Sequence, residues 1–341
     1  MDEQLGLVSK RYSPGLEKEM VWLSGTEKSF AHAEDVMWRI GHIEISDSSI
    51  WRRKESWGER FKELEEAQRV RANTLGGAEA IRARMRGSKQ RQGVRMDGTM
   101  VYIHKEGWKE LKVGCCFEIE VYPTRVRDTG DWEELAHATH NQYVAHLGGP
   151  EVFGQKLWAL AKARGWQKAW DRQVIGDGAP WIWNVVQDHF YDAQQALDWC
   201  HATEHLADVA TLLHGEGTSA AKHWYKVTKK SLYEGHAEAI AQQLILTAQE
   251  YPEAVATELC KEAAYLQTHK RRMQYQELRE DKYVIGSGMV ESGGKQFKAR
   301  FCGPGMRWNR SGLERLIPIR AAAMGGTFDS TWHAVCNSPP T

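Results

Sequence analysis

The sequence has few of the features that mark secreted, membrane-bound or thiolate-metal proteins. Its six cysteines, at positions 115, 116, 200, 260, 302 and 336, form no Cys-x-x-Cys pair and show no zinc-binding spacing. We therefore expect reduced thiols in a cytoplasmic protein. No apolar run reaches the roughly 18 residues that a membrane span requires. The first ten residues, MDEQLGLVSK, have no apolar signal core.

Net charge is also absent, since 45 basic residues balance 45 acidic ones. The basic residues are nevertheless unevenly placed. From Arg69 to Arg95 there are seven arginines and one lysine against one acid, Glu79. Phosphates of DNA or RNA would be attracted to such a segment, and a solvated linker is the competing interpretation. The length of 341 residues and a hydrophobic content of 42% indicate a folded protein of two or three domains.

The first part of the chain, residues 1–68, is predicted to be a helical DNA-binding domain. Apolar residues at spacings of three and four predict a helix over 30–42 with one buried face, formed by Phe30, Ala33, Met37 and Ile40. A second helix is predicted over 45–61, with Ser46 as its N-cap. The inner side of this second helix is formed by Ile50, Trp57 and Phe61.

Two short helices around the turn at Gly41 are typical of a helix-turn-helix motif. The second helix would then present to DNA the basic residues near its start, which are Arg52, Arg53 and Lys54. An ordinary helical hairpin with a basic face explains the same pattern. Residues 69–92 follow as a basic linker.

The next part, residues 93–200, is predicted to form a mixed α/β core. Strands are predicted at 93–105, 108–120, 142–148, 172–176 and 194–200, and helices at 149–165 and 180–190. This order of elements is that of a ribonuclease-H-like sheet, although periodicity alone supports only a mixed α/β fold. Residues 201–285 consist almost wholly of helix-forming patterns.

Three acidic residues lie where a sheet of this kind would gather ligands. Asp97 is in the middle of an otherwise apolar strand, where a carboxylate is costly unless it is paired or bound to a cation. Asp177 follows the strand predicted to lie beside it, and Glu291 begins a predicted helix. Taken singly, they have ordinary alternatives: a core aspartate with a hydrogen bond, a turn aspartate and a capping glutamate.

Three converging carboxylates would suit two Mg²⁺ or Mn²⁺ ions, because these cations prefer oxygen ligands. Two such ions activate a water or a 3′-hydroxyl and stabilise the leaving oxygen of a phosphodiester. Asp97, Asp177 and Glu291 are far apart in the sequence, so only the fold can bring them together.

Four longer segments carry a more specific signal than the three acids alone. They are DGTMVYIHKEGWKELKVGCCFEIE (97–120), VIGDGAPWIWN (174–184), ALDWCHATEHL (196–206) and IGSGMVESGGKQFKARFCGPGMRWNRSGLERLIPIRA (285–321). Together they resemble the Kra-type bacterial insertion-sequence transposases, over about residues 14 to 333. These are DDE enzymes with a ribonuclease-H-like core and a helical insertion before the third acid.

The resemblance implies roles for individual residues. Asp97, Asp177 and Glu291 stand at the family's three catalytic and metal-binding positions. Asp198 and His201 stand where related groups carry an Asp-x-x-His or Cys-x-x-His motif, which makes them possible auxiliary residues. A pair of histidines on one helix face, at 201 and 205, is the alternative for His201.

The resemblance also implies the remaining domain organisation. Residues 201–285 become the helical insertion, 286–333 complete the core with the third acid, and 334–341 form a tail. Three basic residues after the third acid would contact DNA phosphate, with a structural role as the alternative; they are Arg300, Arg307 and Arg310.

By this resemblance the protein is a DNA transposase, bacterial and nucleoid-associated, with two Mg²⁺ or Mn²⁺ ions as cofactors. Its partner would be double-stranded DNA, both the terminal inverted repeats of the element and the target. Water would free a 3′-hydroxyl at the element end, and that hydroxyl would attack the target. Because two ends are handled together, we expect a homodimer on DNA.

Two other functions are compatible with the residues. A truncated or co-opted transposase copy would bind DNA without catalysis. A small-molecule hydrolase would use paired carboxylates and a histidine, and the 15 tryptophans would then suggest a sugar site. Binding to duplex DNA counts against the hydrolase, and metal-dependent nicking separates the transposase from the non-catalytic copy.

Overall fold

The computed structural model of the chain describes residues 12–74, 88–125, 132–286, 291–303 and 305–338. Within them the protein is α/β, as predicted, with helices around one five-stranded mixed sheet. Most of the predicted basic linker, including Glu79, lies outside the described residues. The strands are β1 (Ser88–Ile103), β2 (Gly107–Arg125), β3 (Trp132–His146), β4 (Ala169–Gly176) and β5 (Gln194–Leu197).

The strand order across the sheet is β3-β2-β1-β4-β5. Strands β1, β2 and β3 are antiparallel neighbours, whereas β4 and β5 extend the sheet from β1 in parallel. This arrangement is compatible with a ribonuclease-H-like sheet.

The β1–β2 turn is tight, and Lys105 and Gly107 adopt left-handed φ angles of 68° and 77° there. Glycine adopts such angles without steric cost.

Several strand boundaries differ from the prediction, and two of them have a clear physical reason. Strand β3 begins at Trp132, well before the predicted start at 142, and it pairs with β2 along its whole length. Its first residues are exposed, so ladder hydrogen bonds rather than an apolar face hold them in the sheet. Strand β5 ends at Leu197, and not at Cys200, because Asp198 caps a helix that begins at Trp199.

Helices account for most of the rest of the described chain. They are α1 (Pro14–Thr26), α2 (Phe30–Gly41), α3 (Asp47–Thr74), α4 (Pro150–Ala163), α5 (Pro180–His189), α6 (Trp199–His214), α7 (Ser219–Tyr233), α8 (Ala237–Ala248), α9 (Glu253–His269), α10 (Tyr275–Glu280), α11 (Glu291–Phe301), α12 (Arg310–Met324) and α13 (Phe328–Asn337). The predicted tail therefore starts inside α13. Among the described helices, none combines the length and the apolarity needed to cross a membrane.

The sheet separates two hydrophobic clusters. The adjacent cysteines of β2 point to opposite faces, as expected for a strand. Cys116 joins the cluster formed with α4 and α5, and Cys115 joins the one formed with the helices between α6 and α10. The face of the sheet that carries Cys115 is the second face. Helices α11 and α12 also pack on it, around Phe297 and Leu313. The candidate metal centre lies on this second face.

The N-terminal helices follow the predicted pattern with one exception. Ile50, Trp57 and Phe61 are buried, as the apolar spacing of α3 predicts. On α2, Ala33 is buried, but Ile40 is 81% exposed. The prediction for Ile40 is wrong because α2 ends at Gly41, and this last turn lies outside the cluster that Ala33 forms with Ile50.

Helix α3 runs on to Thr74 and packs against the C-terminal helices. The rings of Trp57 and Trp332 lie 4.2 Å apart, and those of Phe61 and Phe328 lie 5.7 Å apart. Ile319 of α12 completes this cluster. The first helices and the last helices of the chain thus share one core.

Candidate metal centre

The parallel pairing of β1 with β4 brings two of the predicted carboxylates together. Arg95 is the register partner of Ile175, so Asp97 on β1 lies level with Asp177, the residue that follows β4. Carboxylate oxygens of these two residues and an imidazole nitrogen of His201 all lie within 4.8 Å of one another. All three side chains are half-buried. The geometry therefore gathers two predicted acids and one predicted auxiliary residue beside the carboxyl end of β4.

The loop after β4 holds Asp177 in place. The backbone N–H of Ala179 donates to Asp177 Oδ1 at 2.8 Å, and the hydroxyl of Tyr265 donates to the backbone carbonyl of Asp177 at 3.0 Å. Gly178 adopts a left-handed φ of 101°, which favours glycine. Oδ2 of Asp177 is left facing His201, with 3.8 Å between it and Nε2. The residue closes a turn with one oxygen and faces the centre with the other.

His201 reaches the centre from the first turn of α6. Its Nδ1 lies 2.9 Å from Glu204 Oε2, one helical turn further on. That contact leaves Nε2 as the ring nitrogen that faces the carboxylates. A carboxylate on the far nitrogen is the usual way in which proteins orient a metal-binding histidine.

The pKa of Asp97 is raised, chiefly because burial penalises the charged form, and the neighbouring charge of Asp177 adds to this. Arg95, the backbone N–H of Gly98 and His201 act in the opposite direction. Two close, half-buried carboxylates repel each other. A bound cation would relieve that repulsion.

The start of α11 is the third part of the predicted site. Glu291 is the first residue of this helix, and its side chain lies outside the described residues. Gly294, three residues later, passes close to Asp97: a Cβ at Gly294 would lie 3.6 Å from Asp97 Oδ2. Positions three residues apart share one face of a helix. The backbone therefore places position 291 one turn away from the point where α11 meets Asp97.

Asp198 lies behind the centre rather than in it. Its Oδ1 accepts hydrogen bonds from the backbone N–H groups of Cys200 at 2.8 Å and His201 at 3.3 Å, which caps α6. Its Oδ2 lies 3.1 Å from a guanidinium nitrogen of Arg95, and both residues are buried. The Asp-x-x-His pair thus divides into an inner support, Asp198, and a residue that faces the centre, His201.

Among the basic residues predicted to contact DNA, Arg52 and Arg307 are exposed, and Arg53 and Arg310 are exposed in part. Arg310 pairs with Glu106 at 2.6 Å, across the end of the β1–β2 hairpin. Arg53 pairs with Glu17 at 3.0 Å.

The other two predicted DNA contacts, Lys54 and Arg300, are used inside the protein. Lys54 is 0% exposed, and its amine donates to the Gly312 carbonyl at 3.1 Å. Arg300 is 2% exposed, and its Nε donates to the Ser24 carbonyl at 2.9 Å. Burial lowers the pKa of Arg300 to about 10. We therefore correct the predicted role of these two residues: they join helices to one another.

The residues of the centre fit a divalent cation. Ligand atoms about 2.1 Å from an ion are at most about 4.2 Å apart, so three atoms within 4.8 Å need only small side-chain rotations. Carboxylate oxygens suit Mg²⁺ and Mn²⁺, while an imidazole nitrogen also suits softer ions. The described donor set fits a cation of this class without selecting one.

Sequence patterns did not indicate Arg95 and Tyr265 as parts of this site. Arg95 falls two residues before Asp97 and so points to the same face of β1. That spacing is the one signal for Arg95 in the sequence. Tyr265 comes from α9, and no local pattern marks it. Comparison with known proteins adds no further assignment, since no family model matches the chain and no curated protein matches it.

Proposed function

We propose that the protein is a DDE-type DNA transposase that cleaves and joins DNA strands in a metal-dependent reaction. The observation that carries the proposal is the convergence of Asp97 and Asp177 beside the carboxyl end of β4, next to the start of α11. Glu291, the third predicted acid, opens that helix. These positions are distant in the sequence, and a plain turn or a plain cap would not require their convergence.

The sheet supports the finer part of the proposal. Three antiparallel strands followed by two parallel ones, with acids on β1 and after β4, are what a ribonuclease-H-like nuclease core requires. The helices between Trp199 and Glu280 separate the second acid from the third. We assign them as the helical insertion, and α2 with α3 as the helix-turn-helix.

In this proposal Asp97 and Asp177 hold two Mg²⁺ or Mn²⁺ ions, and Glu291 completes the second site. When bound, the ions activate the attacking water or 3′-hydroxyl and stabilise the leaving oxygen. Tyr265 and Ala179 keep Asp177 oriented toward the centre. His201 lies beside both carboxylates, where it adds a nitrogen ligand or a proton acceptor.

Double-stranded DNA is the proposed substrate, at the element ends and at the target, bound by a homodimer. The exposed Arg52 on α3 and the exposed Arg307 before α12 are retained as phosphate contacts. Arg53 and Arg310 are retained as well, because their side chains are partly exposed beside Glu17 and Glu106. Lys54 and Arg300 are not, because their charges are buried.

The proposal is tested by incubating labelled DNA that carries the two element ends with the protein and Mn²⁺ or Mg²⁺. We expect the wild type to nick at the ends, and Asp177→Asn to lose at least about 10³-fold in rate, since metal ligands act in the transition state. Asp188→Asn, an exposed acid on α5, is the matched control and should cleave normally.

Nicking by Asp177→Asn at the wild-type rate would show that Asp177 only closes its turn, and the proposal would fail. DNA binding by the wild type without cleavage, under the same conditions, would favour a co-opted DNA-binding protein instead.

A further inference from the structure

The start of α6 contacts the two strands of the candidate centre and a residue that comes shortly before α11 in the sequence. The backbone N–H of Asp198 donates to the carbonyl of Gly176, the residue before Asp177, at 2.8 Å. The backbone N–H of Trp199 donates to the carbonyl of Ile285 at 3.0 Å, on the segment that precedes α11 in the sequence. Asp198 also pairs with Arg95 on β1, so the start of α6 contacts β1, the end of β4 and Ile285.

The Asp198–Arg95 pair is the charged part of this junction. Both residues are almost fully buried, and Arg95 lies two residues before Asp97 on the same face of β1. The charge of Arg95 is close enough to Asp97 to lower the pKa of that carboxyl. Without the negative charge of Asp198, the buried guanidinium beside the centre would attract its carboxylates and repel a cation.

We propose that Asp198 is a positioning residue of the metal centre, which neutralises Arg95 and so keeps Asp97 and Asp177 available to the cation. This inference rests on the proposed function only in requiring that the centre bind a divalent cation. Asp198 itself is not a ligand, since its two oxygens face the α6 N–H groups and Arg95.

The test measures Mn²⁺ binding to the full chain without DNA, by the loss of free-ion signal in electron paramagnetic resonance. Asp198→Asn keeps a capping oxygen at the start of α6 and removes the charge that faces Arg95. We expect it to bind Mn²⁺ about 10- to 100-fold more weakly, the range found when partners of metal ligands are changed. Asp198→Ser, which also retains a capping oxygen, carries the same expectation if the first variant does not fold.

The decisive variant is the double change Arg95→Gln with Asp198→Asn. It removes both charges, so the affinity for Mn²⁺ should return to within about threefold of the wild type. A role of Asp198 in stability alone would not be rescued in this way. Asp192→Asn is the matched control, because Asp192 pairs with Arg172 at 2.8 Å on another part of the sheet. Its affinity should not change.

Two results would overturn the inference: wild-type affinity in Asp198→Asn, or a double variant as weak as the single one. These outcomes are distinct from failure of the proposed function. If wild type and Asp97→Asn both fail to bind Mn²⁺, the metal centre itself is disproved. If the wild type binds Mn²⁺ but never cuts DNA, the positioning role is still measured.

Discussion

At the scale of single residues, the candidate metal centre places two acidic side chains close together in a half-buried position. Asp97 has a raised pKa because it is half-buried beside Asp177. A carboxylate whose pKa is higher in the folded state than in the unfolded state destabilises the fold once it is ionised. In the proposed function, the two charges that cause this cost hold the cation.

Because the ionised Asp97 destabilises the folded state, we predict that Asp97→Asn raises the melting temperature. The gain should be fully present at pH values above the raised folded-state pKa, where Asp97 is ionised in both states. It should shrink as the pH falls through the folded-state pKa, and vanish below the ordinary aspartate pKa of 3.8, where both states are protonated. Thermal unfolding without metal between pH 3 and pH 8 measures it. A lower melting temperature at pH 7 would contradict the assigned environment of Asp97.

At the scale of elements, helix α7 is the most basic helix of the predicted insertion. It contains Lys222, Lys226, Lys229 and Lys230 and no acid. The first three fall at spacings of four and three, so they share one face. Lys229 lies 5.9 Å from the ring centre of Trp199, which begins α6. The lysine face of α7 therefore lies beside the helix that carries His201.

We predict that this lysine face contacts the phosphates of bound DNA. Changing Lys222, Lys226 and Lys229 together to glutamine should lower the slope of log affinity against log salt by about 0.9 for each phosphate that is no longer neutralised. Fluorescence anisotropy with duplex DNA at several salt concentrations measures the slope. Lys261→Gln with Lys270→Gln is the matched control, because each lysine already pairs with a glutamate at 2.6 Å. If the slope fell equally in both variants, the lysine face of α7 would not be a specific DNA contact.

At the scale of the whole molecule, helix α3 joins the two ends of the chain. The pattern of Ile50, Trp57 and Phe61 predicts that α3 has an inner side, and all three are buried. Nothing in that pattern indicates that part of this side packs on α12 and α13. The N-terminal helices and the helices that complete the proposed core therefore share a hydrophobic cluster.

Removing one ring from this cluster tests the shared core. Phe61→Ala should lower the free energy of unfolding by about 3–5 kcal/mol, the usual cost of deleting a buried phenylalanine ring. Urea denaturation followed by tryptophan fluorescence and by circular dichroism measures it. Leu246→Ala is the control, because Leu246 is largely exposed. A decrease below about 1 kcal/mol would mean that α3 packs only loosely on the C-terminal helices.

The spacing of apolar residues and the positions of capping residues made much of the secondary structure predictable. Helix α5 begins at Pro180 and α11 begins at Glu291, as the pattern predicts. The predicted strand boundaries were wrong where tertiary contacts override the periodicity of the sequence. The start of β3 depends on pairing with β2, and the end of β5 depends on the capping carboxylate of Asp198.

The sequence by itself determined which residues carry acid, base and apolar character, and hence the candidates Asp97, Asp177 and His201. Only the tertiary structure decided that their ligand atoms lie within 4.8 Å of one another. It also decided that Lys54 is buried while Arg52 faces solvent. Composition and periodicity are local properties of the chain. Convergence and burial depend on strand register and on helix packing between distant segments, which no local pattern records.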